Sequence, residues 1–374
     1  MKIGIMTFWW SQDNYGQLLQ CYALQKYLRD AGHDAYLIRY NSQSDYVPLP
    51  FYERLKKACN ITDVVKFLCR KIKEKKSRLE IIDNPRFFDN FRDENIVSSE
   101  NVYNHFSELT IEPPDADLYI VGSDQVWSSI MSPIKSYENV TNAFFLNFGS
   151  KEVRRISYAA SWGADKITDE YIKFISPLLE RFSSVSVREE KGIELCRKCK
   201  RDDAICVPDP TFLLTAEDYA SAFINEKKYI EEKYVVLYLL NNPFMFNLDL
   251  IYEWAKEKNL KVKYITGNGL VDKYDKIYPS IPEWLELINN AEYIITNSFH
   301  CSVFSLLFKK KFAVIPLVGA YKGLNSRMDS LFKLCGIKGR YLYEDSFNII
   351  EEEYDCNTES IRTNAITFLK GALK

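Results

Sequence analysis

Apolar residues come in short runs broken by polar or glycine-bearing turns, and the spacing within the runs changes along the chain. Lys2 to Phe8 is an apolar run of strand length that ends in the polar turn Ser11-Gln12-Asp13-Asn14. Beyond it, Leu18, Cys21, Leu24, Leu28 and Ala31 recur every three or four residues, which places them on one face of a helix. Asn14 is a residue type that suits an N-cap, and Gly32 ends the helix. A second strand is predicted over 35–40. This strand–helix–strand opening implies a parallel sheet with a right-handed crossover.

The pattern is less regular from about 41 to 114, where basic stretches such as RKIKEKKSRLE read as solvated surface helices. Strands are predicted again over 117–121, 155–160 and 185–188, with a helix over 169–179. Two prolines in Val207-Pro208-Asp209-Pro210 then read as a linker. A second alternating series follows, with strands over 234–240, 261–266, 293–296 and 312–317. Helices are predicted over 247–258, 282–290, 301–308 and 326–334. The expected fold class is α/β, with two Rossmann-like, doubly wound domains over 1–208 and 209–374. The helical insertion at about 41–114 belongs to the first domain, and the last helix is free to pack back on it. Ligands in such sheets bind beyond the carboxyl ends of the strands, so the two domains are expected to face a shared cleft.

A chain of 374 residues suits two domains, and 47% hydrophobic with 27% charged residues is a folded profile. A net charge of −2 argues against a nucleic-acid binder while allowing a local anion pocket. No apolar stretch reaches membrane-spanning length and the N-terminus lacks a signal-peptide pattern, so a cytoplasmic location is expected. Peripheral membrane contact and oligomeric state stay open. The 25 Tyr, 23 Phe and 6 Trp can fill cores or face sugars, and the core reading takes most of them. Cys196 and Cys199 form a C-x-x-C without a nearby His or a second pair, and His33, His105 and His300 are dispersed. No structural metal is expected.

Four turns that follow predicted strands carry the candidate chemistry. In the first, Asn14, Tyr15 and Gly16 form either a plain helix start or an anion-binding turn, with Gly16 permitting close backbone approach. In the second, Gly122-Ser123-Asp124 offers Asp124 as a general acid or base, or as another N-cap, and Trp127 as a sugar platform. In the third, Arg188 ends a buried strand, where it either pairs with a structural carboxylate or awaits an anionic ligand. In the fourth, Asn297-Ser298 precedes a helix whose first turn holds His300. Asn325 and Arg327, at the start of a later helix, form a further anion candidate. Walker A, G-x-G-x-x-G, H-E-x-x-H and G-x-S-x-G patterns are absent.

Together the segments DNYGQLLQCYALQKYL, LYIVGSDQVW, SVREEKG, VPDPTFLL and NSFHCSVFSLLFKKKF resemble the polysaccharide pyruvyl transferase family, in family order from about residue 3 to 340. The resemblance implies a GT-B-like pair of domains, the first on the acceptor side and the second on the donor side. It implies phosphoenolpyruvate as donor substrate, with no further cofactor, and a sugar or lipid-linked oligosaccharide as acceptor. By resemblance Arg188 holds the donor and His300 belongs to a short donor-binding motif. Some active members carry an arginine two residues before that histidine, where this chain has Ser298, which leaves the charge to Arg327 or a lysine. On this reading Arg188 and Arg327 clamp the anions, His300 assists the departing phosphate and Asp124 activates a hydroxyl. The alternatives are a GT-B glycosyltransferase using a nucleotide sugar and an inactive glycan-binding homologue.

Overall fold

The computed structural model describes residues 1–47, 79, 82–128, 134–224, 232–240, 244–267, 270 and 272–374. Apart from Leu79, the basic RKIKEKKSRLE stretch lies outside these residues. The first sheet contains β1 (Lys2–Met6), β2 (Asp34–Tyr40), β3 (Ser98–Tyr103), β4 (Leu118–Val121) and β5 (Arg154–Ser157), in the order β3-β2-β1-β4-β5. Parallel bridges from Ile156 to Ser184 and from Ala160 to Val187 extend it to the short pair β6 (Ser186–Val187) and β7 (Ile205–Cys206). The second sheet contains β8 (Tyr234–Leu239), β9 (Lys261–Thr266), β10 (Tyr293–Thr296) and β11 (Lys311–Val314), in the order β11-β10-β8-β9. Every named strand pair is parallel. These are two doubly wound units, as the βα alternation predicts.

The central strands are apolar throughout because helices cover both faces, which removes any need for alternation. LYIV of β4 and YVVLYL of β8 are buried at every position. The strand β3 was not expected inside the 41–114 insertion. Its sequence SSENVY is polar and mostly exposed at the sheet edge, so it carries no apolar signal.

Five helices position the site and are numbered here in chain order: α1 (Tyr15–Asp30), α2 (Ile281–Asn290), α3 (Phe299–Leu307), α4 (Asn325–Leu334) and α5 (Thr358–Leu373). Helix α1 belongs to the first sheet by connection, yet Tyr15, Leu18, Leu19 and Tyr22 share one core with Tyr238, Trp284, Cys301 and Phe304 of the second domain. Tyr15 stacks on Trp284 with ring centroids 4.9 Å apart and donates its hydroxyl to the Pro279 carbonyl at 2.7 Å. The two domains are therefore joined through a packed core.

The 3₁₀ turn Pro210–Leu213, just past the expected boundary at 208/209, still packs on α1 and α5. Thr215, two residues further on, caps a helix packed on α2, and Phe212 and Leu214 already join the core of the second domain. Helix α5 returns to the first domain, where Ala365, Leu369 and Ala372 join Ile3, Ile5, Leu24 and Leu118 in one core. Arg154 donates to the Ala372 and Leu373 carbonyls, placing a cation at the helix C-terminus where the dipole favours it. Leu369→Ala should therefore destabilise the protein by about 2–5 kcal/mol, and the exposed neighbour Lys370→Ala by less than about 0.5 kcal/mol. Urea unfolding of the two variants checks this.

Candidate functional site

Three strand ends of the first domain and one helix start of the second converge on a buried charged cluster. Arg188 follows β6 and is 4% exposed, and Asp209 follows β7 and is 1% exposed. Nη1 of Arg188 donates to Oδ2 of Asp209 at 2.8 Å, and Nη2 donates to Oδ1 of Asp124 at 3.3 Å. The Arg188 guanidinium lies over the Phe299 ring, 4.5 Å from its centroid, and its buried Nε has no partner. Paired with two carboxylates and stacked on an aromatic face, the guanidinium meets the conditions under which arginine tolerates burial.

Asp209 organises the cluster with both oxygens. Oδ1 accepts from the Thr211 amide at 3.0 Å and from its hydroxyl at 2.7 Å, capping the Pro210–Leu213 turn. Oδ2 faces Arg188, the Ser123 hydroxyl at 3.2 Å and Nε2 of His300 at 3.3 Å. Burial alone would raise this carboxyl, but His300 and then Arg188 outweigh it and hold the group well below the ordinary carboxylate range.

His300 lies in the first turn of α3. Its Nε2 is 3.4 Å from Nη1 of Arg188 as well as 3.3 Å from Asp209. An arginine N–H only donates and a carboxylate oxygen only accepts, so the two contacts demand opposite roles of Nε2. The ring thus sits at a junction where a change of protonation or tautomer exchanges one partner for the other. A Cβ on Gly16 would overlap the His300 ring, so this glycine gives room to a side chain of the other domain rather than to a ligand.

Asp124 sits on a turn that also depends on glycine. Gly122 has φ +113°, and a Cβ there would overlap the Tyr158 carbonyl oxygen. Asp124 itself has φ +66°, in the left-handed region that Asp tolerates better than most residues. Only Oδ1 of Asp124 is engaged by Arg188. Ser123 is buried and donates to the Ala159 carbonyl at 2.7 Å, besides facing Asp209.

Arg327, in the first turn of α4, is half-buried and donates from Nε to the Leu324 carbonyl at 3.4 Å. Among the described residues its terminal nitrogens have no hydrogen-bond or ion-pair partner. Burial, with repulsion from Arg188, pushes its pKa down to about 10. The group is charged at neutral pH in surroundings that favour the arrival of an anion. Glu189, next to Arg188, accepts at Oε1 from the Ser161 hydroxyl at 3.1 Å and the Trp162 amide at 2.6 Å, while Oε2 is buried without a partner.

The structure thus brings Ser123, Asp124, Arg188 and His300 together, with Gly16 against the histidine. Other expected site residues have different work. Trp127 is fully buried, donates to the Phe144 carbonyl at 3.1 Å and stacks on Phe145, so it offers no sugar platform. Tyr15 belongs to the interdomain core. Asn14 stands at the N-cap position without a capping bond, and its buried Oδ1 has no partner. The Ser298 hydroxyl caps α3 by accepting from the Cys301 amide at 3.4 Å. Asn325 exchanges two hydrogen bonds with the backbone of Leu317, which pins the start of α4 to the chain after β11.

Asp209 is the residue that sequence reasoning missed. Its Asp-Pro-Thr setting signals a turn cap, but nothing local signals the arginine and histidine that meet its other oxygen. No group of three or more His, Cys, Asp or Glu among the described residues could hold a metal ion, and no helix among them is long and apolar enough to cross a membrane.

A profile of the polysaccharide pyruvyl transferase family matches residues 14–317. The chain belongs to this family. The matched stretch contains Asp124, Arg188, Asp209 and His300, whereas Arg327 lies beyond it and rests on geometry alone. No curated protein sequence matches significantly. Among solved structures, the pyruvyl transferase family chain is similar to the Staphylococcus aureus protein MnaA in a co-structure with UDP, at 12% identity and a TM-score of 0.52, covering 98% of this chain and 92% of that one. It is also similar to the UDP-GlcNAc 2-epimerases of Methanocaldococcus jannaschii (13% identity, TM-score 0.51, 99% and 100% covered) and Neisseria meningitidis (11%, 0.51, 100% and 100%). At such identities the likeness shows the fold alone, a two-domain Rossmann-like, GT-B-like architecture.

Two outcomes follow for this pyruvyl transferase family site. Gly16→Ala should push His300 from its place, costing about 1–3 kcal/mol and shifting the His300 imidazole resonances in NMR spectra. Because the folded Asp209 carboxyl is depressed, its contribution to stability is complete above roughly pH 5 and declines as pH falls below the unfolded value of about 3.9. Asp209→Asn should flatten that acid limb when urea midpoints are measured between roughly pH 3 and 6.

Proposed function

We propose that this chain transfers pyruvate from phosphoenolpyruvate, as a ketal, to a sugar of a surface polysaccharide or its precursor, in the cytoplasm. The observation that supports this best is the unpaired Arg327 cation beside the buried Arg188–Asp124–Asp209–His300 cluster, where the two domains meet. Phosphoenolpyruvate carries a carboxylate and a phosphate, which call for guanidinium donors and helix N-termini rather than an apolar pocket.

The residues divide the work as follows. Arg327 meets one anionic group of the donor with its two terminal nitrogens. Arg188 keeps its shorter bond to Asp209 and exchanges the longer one, to Asp124, for the donor's other anionic group. That exchange leaves Asp124 free to take a proton from an acceptor hydroxyl. In the reaction the methylene carbon gains a proton, the first sugar oxygen bonds to C2, the second replaces the phosphate oxygen, and inorganic phosphate leaves. The two hydroxyl protons balance the one gained by carbon and the one carried by phosphate. His300, beside Asp209 and at the positive end of α3, donates to the departing phosphate on this reading.

Calorimetric titration of phosphoenolpyruvate into the wild type and Arg327→Met tests the reading. Saturable binding, weakened about 10- to 100-fold in the variant, is expected. UDP-N-acetylglucosamine is the control. Binding of that compound without any binding of phosphoenolpyruvate would make the chain a nucleotide-sugar enzyme instead.

A further inference from the structure

Outside the charged cluster, a second buried guanidinium is left unmatched among the described residues. Arg86, two residues before the helix Phe88–Asn95, is 5% exposed, and its Nη1 and Nη2 are both buried without a hydrogen-bond partner. Other buried arginines of this chain spend their N–H groups on backbone carbonyls. Arg92 donates to Trp9 and Ser11, Arg155 to Leu146 and Phe148, and Arg340 to Phe312 and Ile349. Arg86 instead lies over the Tyr278 ring, 5.1 Å from its centroid. The Tyr15 hydroxyl is near enough to feel this charge, but it donates to the Pro279 carbonyl and makes no bond of ordinary geometry with Arg86. A ring face offsets part of the cost of burial while using none of the N–H donors, and arginine cannot shed its charge.

Arg86 lines a cavity of about 250 Å³ together with Gln12, Phe88, Asp89, Asn90 and Tyr278. That volume is below the roughly 300–1,000 Å³ of drug-sized sites, so it suits a small ion rather than a nucleotide. The helix Phe88–Asn95 starts on this wall with no side-chain cap. Its first intrahelical bond runs from the Phe91 amide to the Phe87 carbonyl, so the amides of Phe88, Asp89 and Asn90 fall in the turn that lacks helical acceptors. A helix N-terminus and a guanidinium are each suited to an oxyanion, and here they share one cavity. The carboxylate in the lining, Asp89, is already engaged: it accepts from Arg92 and from Nε2 of Gln12 at 2.9 Å. The charge of Arg86 is therefore not cancelled from within the described lining.

From this we infer that the cavity is a second anion site, which takes a phosphate group, free or as a small monoester, on Nη1 and Nη2 of Arg86 and the amides that open the helix Phe88–Asn95. Two guanidinium nitrogens and a turn of amides outnumber the two oxygens of a carboxylate and match a tetrahedral oxyanion better. The inference does not depend on the pyruvyl-transfer reading, whose donor groups are Arg188 and Arg327. Gln12 and Arg86 belong to the first domain, and Tyr278 to the segment that enters α2 in the second. An anion held here therefore joins the two domains beside the core that Tyr15 and Trp284 share.

Calorimetric titrations test it, with inorganic phosphate and glucose 1-phosphate as probes. The proteins are the wild type, Arg86→Met, Asn90→Asp and Arg327→Met. At least one probe should saturate a site that Arg327→Met retains, and binding there should weaken at least about tenfold in Arg86→Met. Asn90→Asp sets a carboxylate in the lining at an exposed position and should weaken the same site about fivefold. Tighter binding of inorganic phosphate assigns the site to the free anion, and tighter binding of glucose 1-phosphate assigns it to a monoester. If Arg86→Met does not fold, Asn90→Asp carries the comparison. Saturation of the wild type by neither probe overturns the inference, as does an affinity that Arg86→Met and Asn90→Asp both leave unchanged. Binding that Arg327→Met removes and Arg86→Met keeps also overturns it, because the anion then sits at the donor site.

Discussion

The 2.8 Å ion pair between Arg188 and Asp209, closed off from water, is the interaction on which the rest of the site depends. Desolvating two charges costs several kcal/mol each, and the Coulomb gain offsets this only when the remaining hydrogen-bonding capacity is met. Here Thr211 meets one oxygen of Asp209, Ser123 and His300 meet the other, and Asp124 and the Phe299 ring meet Nη2 and the face of the guanidinium, while its Nε is left without a partner. Such a pair adds little net stability over apolar packing. Its consequence is positional: the contacts of the pair tie the ends of β4, β6 and β7 and the start of α3 to one another.

Helix α1 transmits that register between the domains. Its body shares a core with α2 and α3, while its first turn offers Gly16 as the floor under His300. A displacement of the second domain relative to α1 would carry His300 away from Arg188 and Asp209. The histidine's chemistry is therefore tied to interdomain packing, although the residues that set its surroundings come mainly from the first domain.

The charged groups near Asp124 are gathered in one place. They are Arg188, His300 and the unpaired Arg327. A separate aromatic cavity in the first domain, lined in part by Gln125, has amide and hydroxyl groups but no charge among its described lining residues.

Much of the fold was legible in the residue pattern, because buried parallel strands are continuous apolar runs and their helices repeat at three and four residues. Helix 169–179 and strands 261–266 and 293–296 match their predicted spans. The edge strand β3 was not legible, since a polar, solvent-facing strand has no hydrophobic signature. Within the site, Arg188 could be singled out because a cation ending an apolar strand conflicts with local burial, and His300 because it opens a helix directly after a strand. Sequence alone left open whether Arg188 was paired, and it treated Trp127 as a platform and Asp209 as linker. Those points depend on contacts between residues 17 to 112 positions apart, such as Trp127 with Phe144 and Arg188 with Asp209 and with His300. Local periodicity determines which face of an element is buried. Only the tertiary fold decides which charge meets which.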